Sequence, residues 1–223
     1  MITVEVSLGD RSYPVLVGAG ARRELAGVLP RSARRVAIVT QESIGVDVDP
    51  GLPYDVHEIG DGEEAKSLTT VELLCEAFVR TGLTRADVIV GVGGGVVTDV
   101  AGFAAAVYHR GTSVVHVPTT LLGMIDAAIG GKTGVNLMLG KNLVGAFWQP
   151  AAVLCDTDTL YTLPPRDYRS GLGEMAKYHF LTGEDLAALP LDDRVARCVA
   201  IKASVVAGDN GRPVARRVPA GRF

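Results

Sequence analysis

Val88-Ile-Val-Gly-Val-Gly-Gly-Gly-Val-Val-Thr-Asp99 is the stretch on which the fold turns. A short apolar run that empties into consecutive glycines and then resumes as an apolar segment reads as a buried strand, a tight turn and a helix. Related stretches follow: Val117-Pro-Thr-Thr-Leu-Leu122, Asp126-Ala-Ala-Ile-Gly-Gly-Lys-Thr-Gly-Val-Asn136 and Gly140-Lys-Asn142. Glycines let a backbone approach an anion, and the start of a helix offers unpaired N–H groups and the positive end of a dipole. Residues 88–142 therefore read as a phosphate-handling surface. Neither of two familiar labels fits it. Neither Gly91 nor Gly93 begins a GxGxxG pattern, and Gly131-Lys-Thr133 lacks a P-loop because Asp126 stands where that motif needs glycine.

Outward from this stretch, strands alternate with helices. Residues 2–8 and 13–17 read as two strands around a Gly9-Asp10 turn, leading to a helix near 21–28. Residues 36–40, 54–59, 114–117 and 153–155 read as further strands. Within 41–53, Gly45, Asp47, Pro50, Gly51 and Pro53 leave little room for a full crossover helix. A helix opens at 61–66, carries Val71, Leu74, Cys75, Phe78 and Val79 at helical spacing, and ends at Gly82. Another spans 98–107, and 118–145 reads as rich in loops. After Thr162-Leu-Pro-Pro165 the pattern becomes purely helical, with helices expected over 167–181 and 193–207. The expected fold is α/β: a Rossmann-like, mostly parallel sheet domain over 1–161, then the start of an α-helical second domain over 162–207. Residues 208–223 show no periodicity and read as a disordered tail.

The chain has 223 residues and a formal charge of -3, with a pI near 5.8. That is no basic field of the kind nucleic-acid binders carry, so a small soluble ligand is expected and a nucleic acid is not. The start of the chain lacks the basic and apolar regions of a signal peptide, and the most apolar window is broken by Asp99 and several glycines, so no membrane partner is expected. The three cysteines are scattered without a CxxC pair, which points to a reducing cytoplasm.

Each chemistry-bearing group has a plain alternative. Lys132 and Lys141, flanked by glycines, are suited to an anionic ligand, yet either alone reads equally as a solvated loop lysine. Asp61-Gly-Glu-Glu-Ala-Lys66 is a ligand-binding segment or simply a helix start favoured by acidic residues. Thr119 and Thr120 end a strand, where their hydroxyls serve a ligand or cap the backbone. Glu174 and Lys177 share a helix face at a spacing that also makes an ordinary salt bridge. The four histidines show no metal-ligand spacing, and His116, inside an apolar strand, reads as a core residue.

Together these motifs resemble the 3-dehydroquinate synthase family, sugar-phosphate cyclases of the shikimate pathway. The resemblance runs through Gly62-Glu63 to Lys66, the glycine triplet to Asp99, Tyr108 to Arg110-Gly111, Pro118-Thr-Thr-Leu-Leu122, 126–136, Gly140-Lys-Asn142 and Ser170-Gly to Glu174 and Lys177. It implies an enzyme that uses NAD and a divalent metal, zinc or cobalt, to convert 3-deoxy-D-arabino-heptulosonate 7-phosphate into 3-dehydroquinate and phosphate, a carbon-oxygen lyase reaction. It further implies NAD contacts from Asp61, Gly62, Glu63, Glu64, Ala65 and Lys66, from Gly95, Val96, Val97, Thr98 and Asp99, and from Thr119 and Thr120. Lys132, Lys141, Thr159, Leu160, Tyr161 and Thr162 complete that set. Asp126, Lys132, Asn142, Lys177 and Lys202 are implied to face substrate, Arg110 to reach its phosphate, Glu174 to hold the metal, and the full-length enzyme to be a homodimer.

The sequence also departs from the family. The helix containing Lys202 should lead to an Asn-x-Gly-His-Thr segment with a metal histidine, followed later by a second one. Here Asp209-Asn-Gly-Arg-Pro follows, and none of the four histidines takes a ligand position. The resemblance thus implies a C-terminally truncated relative whose competence on its own is open. A sedoheptulose 7-phosphate cyclase, a glycerol dehydrogenase-like oxidoreductase and a non-catalytic NAD-binding fragment are the alternatives. The Arg, Pro, Gly and Ala usage of the tail motivates the hypothesis that it arises from a frameshift. Reading the gene beyond codon 206 in the other two frames is expected to recover the Gly-His-Thr segment, and its absence there would count against a frameshift.

Overall fold

Strands that are apolar on both faces must be covered on both faces, and that requirement builds the molecule. The computed structural model describes residues 1–209. Its strands are β1 (Ile2–Val6), β2 (Tyr13–Val17), β3 (Val36–Thr40), β4 (Tyr54–Glu58), β5 (Val88–Gly93), β6 (Ser113–Pro118), β7 (Lys132–Leu137), β8 (Gly140–Phe147) and β9 (Ala152–Cys155). The helices are α1 (Leu25–Val28), α2 (Leu68–Arg80), α3 (Gly95–Val107), α4 (Pro165–Thr182) and α5 (Leu191–Asp209). Seven strands form one sheet in the order β1-β2-β9-β6-β5-β3-β4. Only β1 and β2 pair antiparallel, and every other neighbour in that sheet is parallel. The expected α/β fold with a mostly parallel sheet is what the chain adopts.

The central strand shows how sequence alternation sorts the two faces. Val88, Val90 and Val92 of β5 join Val36, Ile38, Val115 and Val117 in a core on one side of the sheet. Ile89 points to the other side, into a core made with α2 and α3 through Val71, Leu74, Phe78, Val97, Val100 and Ala104. Gly91 and Gly93 lie on this second face, where a Cβ on Gly93 would stand 2.5 Å from Val97 Cγ2. Their missing side chains let α3 lie close against β5. A third core gathers the β1, β2 and β9 side with α4 and α5, through Tyr13, Val15, Val17, Tyr178, Val195, Cys198 and Val199. The described helices of the 162–207 segment thus share apolar core with the sheet.

Several expectations need correction. The 118–145 segment is not mainly loop: after a π-helical turn at Gly123–Ala127, β7 and β8 form a separate antiparallel hairpin. Its strands were hidden because glycines and polar residues dominate them, and their only buried residues are Thr133, Gly134 and Val135, on the strand that packs against α3. Helix α3 begins at Gly95, directly on the glycine triplet, and not at 98. Residues 61–66 form only a short 3-10 turn, and α2 starts at Leu68 with Ser67 accepting a capping hydrogen bond from the Thr70 amide. Val79, placed on the apolar face of that helix, is exposed. Gly208 and Asp209 end α5, and the rest of the tail expected over 208–223 lies outside the described residues. As expected, no crossover helix joins β3 to β4, and a 3-10 turn at Glu42–Ile44 is all that the prolines and glycines leave.

His116 is buried in β6 beneath α3, and its Nδ1 has no partner among the described residues. Burial lowers its pKa from 6.5 to about 4. The unfolded chain takes up a proton near the ordinary histidine value while the folded chain resists it. The stability due to neutral His116 is therefore present above pH 6.5 and is lost as pH falls towards 4, by about 3 kcal/mol in all. His57, also lowered by burial, adds to the slope in the same sense. Urea denaturation as a function of pH should show this fall, and His116→Leu should flatten most of it.

Candidate functional site

Because the strands from β2 to β4 run parallel, their carboxyl ends lie along one edge of the sheet, and ligands of open α/β sheets bind in the crevice there. A groove of about 810 Å³ follows that edge. It is lined by Gln41 after β3, Gly62 after β4, Gly94 and Gly95 after β5, Thr119 and Thr120 after β6, and Thr159 beyond β9. The first hydrogen bond of α3 runs from the Thr98 amide to the Gly94 carbonyl at 3.1 Å, and no side chain caps the helix. The N–H groups of the first turn therefore face the groove with the positive end of the helix dipole. A Cβ on Gly94 would stand 3.0 Å from Thr120 Cγ2, so glycine keeps the floor open between β5 and β6. This cradle fits the pyrophosphate of a dinucleotide.

A second cleft, of about 460 Å³, adjoins the first and is lined by Asp99, Asp126, Lys132, Asn142, Phe147 and Lys202 among others. Asp99, Ala127 and Asn142 line both spaces. At this junction Lys66, 6% exposed, places its Nζ 2.6 Å from Asp99 Oδ2. It also donates to Asn142 Oδ1 at 2.6 Å. Burial pushes the Asp99 carboxyl above the usual range, and the hydrogen bond and charge of Lys66 only partly offset this. Glu63 behaves oppositely. Burial raises it, but the hydrogen bond from the Asn136 amide and the charges of Lys66 and Lys141 together outweigh burial and hold it below the usual range. Lys202 pairs with Asp126, and Lys177 pairs with Glu174. The hydrogen bond to Glu174 holds the Lys177 ammonium above its ordinary value, with burial opposing and the charges of Glu174 and Asp126 assisting.

The expected site residues are thus sorted by position. Gly62, Glu63, Lys66, Gly95, Val96, Asp99, Thr119, Thr120, Lys141, Thr159 and Thr162 line the groove, and Asp126, Lys132, Asn142 and Lys202 line or adjoin the cleft. Asp61 stands beside the groove, accepting a 2.7 Å hydrogen bond from Ser43. Ala65, Val97, Thr98 and Leu160 are buried packing residues, and Tyr161 is 86% exposed. Glu64, Lys177, Glu174 and Arg110 line neither space, and Arg110 sits in a turn with φ 62°. Lys132 and Lys141 lie on strands of the hairpin and not in free turns.

Gln41, Ser43, Ile44 and Val46 complete the far end of the groove and match no motif in the sequence. The signal that finds them is topological: they follow β3, the parallel neighbour of β5. The described residues do not by themselves make up a metal site. Among the described residues no group of three or more His, Cys, Asp or Glu side chains is placed to hold one, and the Glu174 carboxylate is engaged by Lys177. Nor, among them, is any helix long and apolar enough to cross a membrane.

The sheet edge, the open helix terminus and the adjoining lysine-bearing cleft define an α/β protein with an anion-suited groove that runs into a second, polar cleft. Residues 56–170 match the 3-dehydroquinate synthase N-terminal family. The chain belongs to that family. It is 51% identical over 208 residues to a putative aminodehydroquinate synthase of Amycolatopsis mediterranei, a match that covers 93% of this chain and 59% of the relative. It is 44% identical over 239 residues to the 3-dehydroquinate synthase of Mycolicibacterium vanbaalenii, covering 97% of this chain and 66% of that protein. The chain therefore spans about three fifths to two thirds of these relatives' length. Among solved structures, 2-deoxy-scyllo-inosose synthase complexed with carbaglucose-6-phosphate, NAD+ and Co2+ superposes with a TM-score of 0.82. Identity there is 29%, over 92% of this chain and 62% of the other.

Replacing Lys66 by methionine leaves the half-buried Asp99 carboxylate without its counter-charge, a loss of about 2 kcal/mol at neutral pH. The loss shrinks as pH falls, because protonation of Asp99 is already favoured by burial. Urea melts of Lys66→Met should show both effects, and adding Asp99→Asn should restore most of the stability.

Proposed function

We propose that this chain is the NAD-binding and phosphate-holding part of a 3-dehydroquinate synthase, acting on 3-deoxy-D-arabino-heptulosonate 7-phosphate to give 3-dehydroquinate and phosphate. One observation carries the reading: the open, glycine-lined start of α3 is continuous, through Asp99 and Asn142, with a cleft that bears Lys132 and Lys202. The first turn of α3 and the hydroxyls of Thr119 and Thr120 hold the pyrophosphate. Lys66 and Asp99 close the end of the groove that opens to the second cleft. NAD supplies the reversible removal of hydride from a ring hydroxyl, which the side chains present have no means to perform.

In the second cleft Lys132 and Lys202 offer ammonium groups to an anionic sugar, and Asp126 orients Lys202 through their ion pair. Asn142 presents its side chain at the boundary between the two ligands. The hairpin and α3 wall off the reacting groups from one side. Residues 162–207 form the opening helices of the substrate-facing part, with Glu174 and Lys177 paired on α4. No step is assigned to a metal, since the described side chains form no site for one.

A second reading, an aminodehydroquinate synthase, is favoured by the higher identity to that relative, 51% against 44%. Comparing phosphate release from the heptulosonate phosphate and from its amino analogue discriminates the two.

Calorimetric titration with NAD tests the main reading. Binding is expected at one site per chain, and Gly94→Val, which fills the floor beside Thr120, should weaken it at least about tenfold without unfolding the protein. Absence of NAD binding to the wild-type chain, or unchanged affinity in Gly94→Val, would overturn the assignment of the groove.

A further inference from the structure

Asn136 lines neither the groove nor the cleft, yet it touches both through other residues. Its Oδ1 accepts a 2.8 Å hydrogen bond from the backbone N–H of Asn142. Its Nδ2 donates to Glu63 Oε1 at 2.8 Å. Its own backbone N–H donates to the Lys66 carbonyl at 2.8 Å. We infer that Asn136 is a positioning residue that couples the dinucleotide groove to the sugar-phosphate cleft by holding Asn142 and Glu63 in one rigid unit.

The need for such a residue lies in the backbone of Asn142, which has φ 57°. Asparagine enters that left-handed region more readily than other side-chain-bearing residues, and surrounding contacts fix it there. Two contacts do so. Asn136 Oδ1 accepts from the Asn142 N–H, and Lys66 Nζ donates to Asn142 Oδ1. Asn142 lies in β8 opposite the end of β7, where the ladder between Val135 and Leu137 is interrupted and the pairing resumes out of register. The irregularity frees Asn136 from regular pairing and turns its amide towards both partners. On the other side, Glu63 lines the groove and also faces Lys66 and Lys141, at 3.9 Å and 3.6 Å.

A ligand in the groove that settles Glu63, Lys66 and Asp99 thereby settles Asn136, and through it the Asn142 side chain that borders the cleft. By linkage, occupation of the cleft reports back to the groove with the same free energy. This inference rests on the groove being the NAD site.

The test is amide exchange of the hairpin, followed by NMR with and without NAD, in the wild type, Asn136→Ala and Asn136→Asp, beside calorimetric NAD titrations. In the wild type NAD should slow exchange across 140–147 by about tenfold, the scale of one additional hydrogen bond's worth of local stability. Without NAD, Asn136→Ala should speed exchange at Asn142 by about tenfold while β5 and β6 keep their protection, because the lost acceptor is local. Asn136→Asp keeps an acceptor for that N–H and loses the donor to Glu63. It should retain wild-type exchange at Asn142 and lose the slowing by NAD. A wild type that binds NAD but shows no change in the hairpin overturns the coupling and leaves the NAD reading standing. A wild type that does not bind NAD overturns both. Equal acceleration in the hairpin, β5 and β6 of Asn136→Ala would reduce Asn136 to a general stabiliser and overturn the positioning role.

Discussion

The absence of side chains at Gly93 and Gly94 is the constraint on which this structure depends. Gly93 lets α3 pack against β5 without collision with Val97, and Gly94 leaves the space before Thr120 unfilled. The helix can then begin immediately at the sheet edge, uncapped, with its dipole directed along the crevice. A side chain at Gly93 would push α3 away from β5, and one at Gly94 would press on Thr120 at the floor of the crevice. The parallel order of the strands supplies the rest of the groove, since each successive carboxyl end adds residues to the same edge.

The groove communicates with the second cleft through a polar cluster built around the nearly buried Lys66. Lys66 is nearly buried, and a buried ammonium requires a counter-charge and acceptors. Asp99 and Asn142 provide them, one from α3 and one from the hairpin. The cost of burying the Lys66 ammonium is met by these two partners, so moving either leaves it short of an acceptor. This arrangement converts a two-stranded hairpin, marginal by itself, into a fixed wall between groove and cleft.

Much of the fold was legible because its strands are buried on both faces and so appear as continuous apolar runs. The run at 88–93 and its glycines located the centre of the groove directly. The hairpin was not legible. Its glycines approach backbone closely, as at Gly145, where a Cβ would lie 2.0 Å from the Thr133 carbonyl oxygen, and in sequence such glycines look like loop. The far end of the groove was hidden for a different reason: Gln41 and Ser43 gain their meaning from strand order, which no local motif records. The spacing of Glu174 and Lys177 made their ion pair legible, and the side chains form it.

The central claim is that the start of α3 receives the dinucleotide. Amide chemical-shift mapping of an isotope-labelled chain titrated with NAD addresses it most directly. The largest shifts should fall at Gly94, Gly95 and Val96, with accompanying changes at Thr119 and Thr120 on the neighbouring strand end. Shifts confined to α4 and α5, or none at the glycine turn at saturating NAD, would contradict the claim.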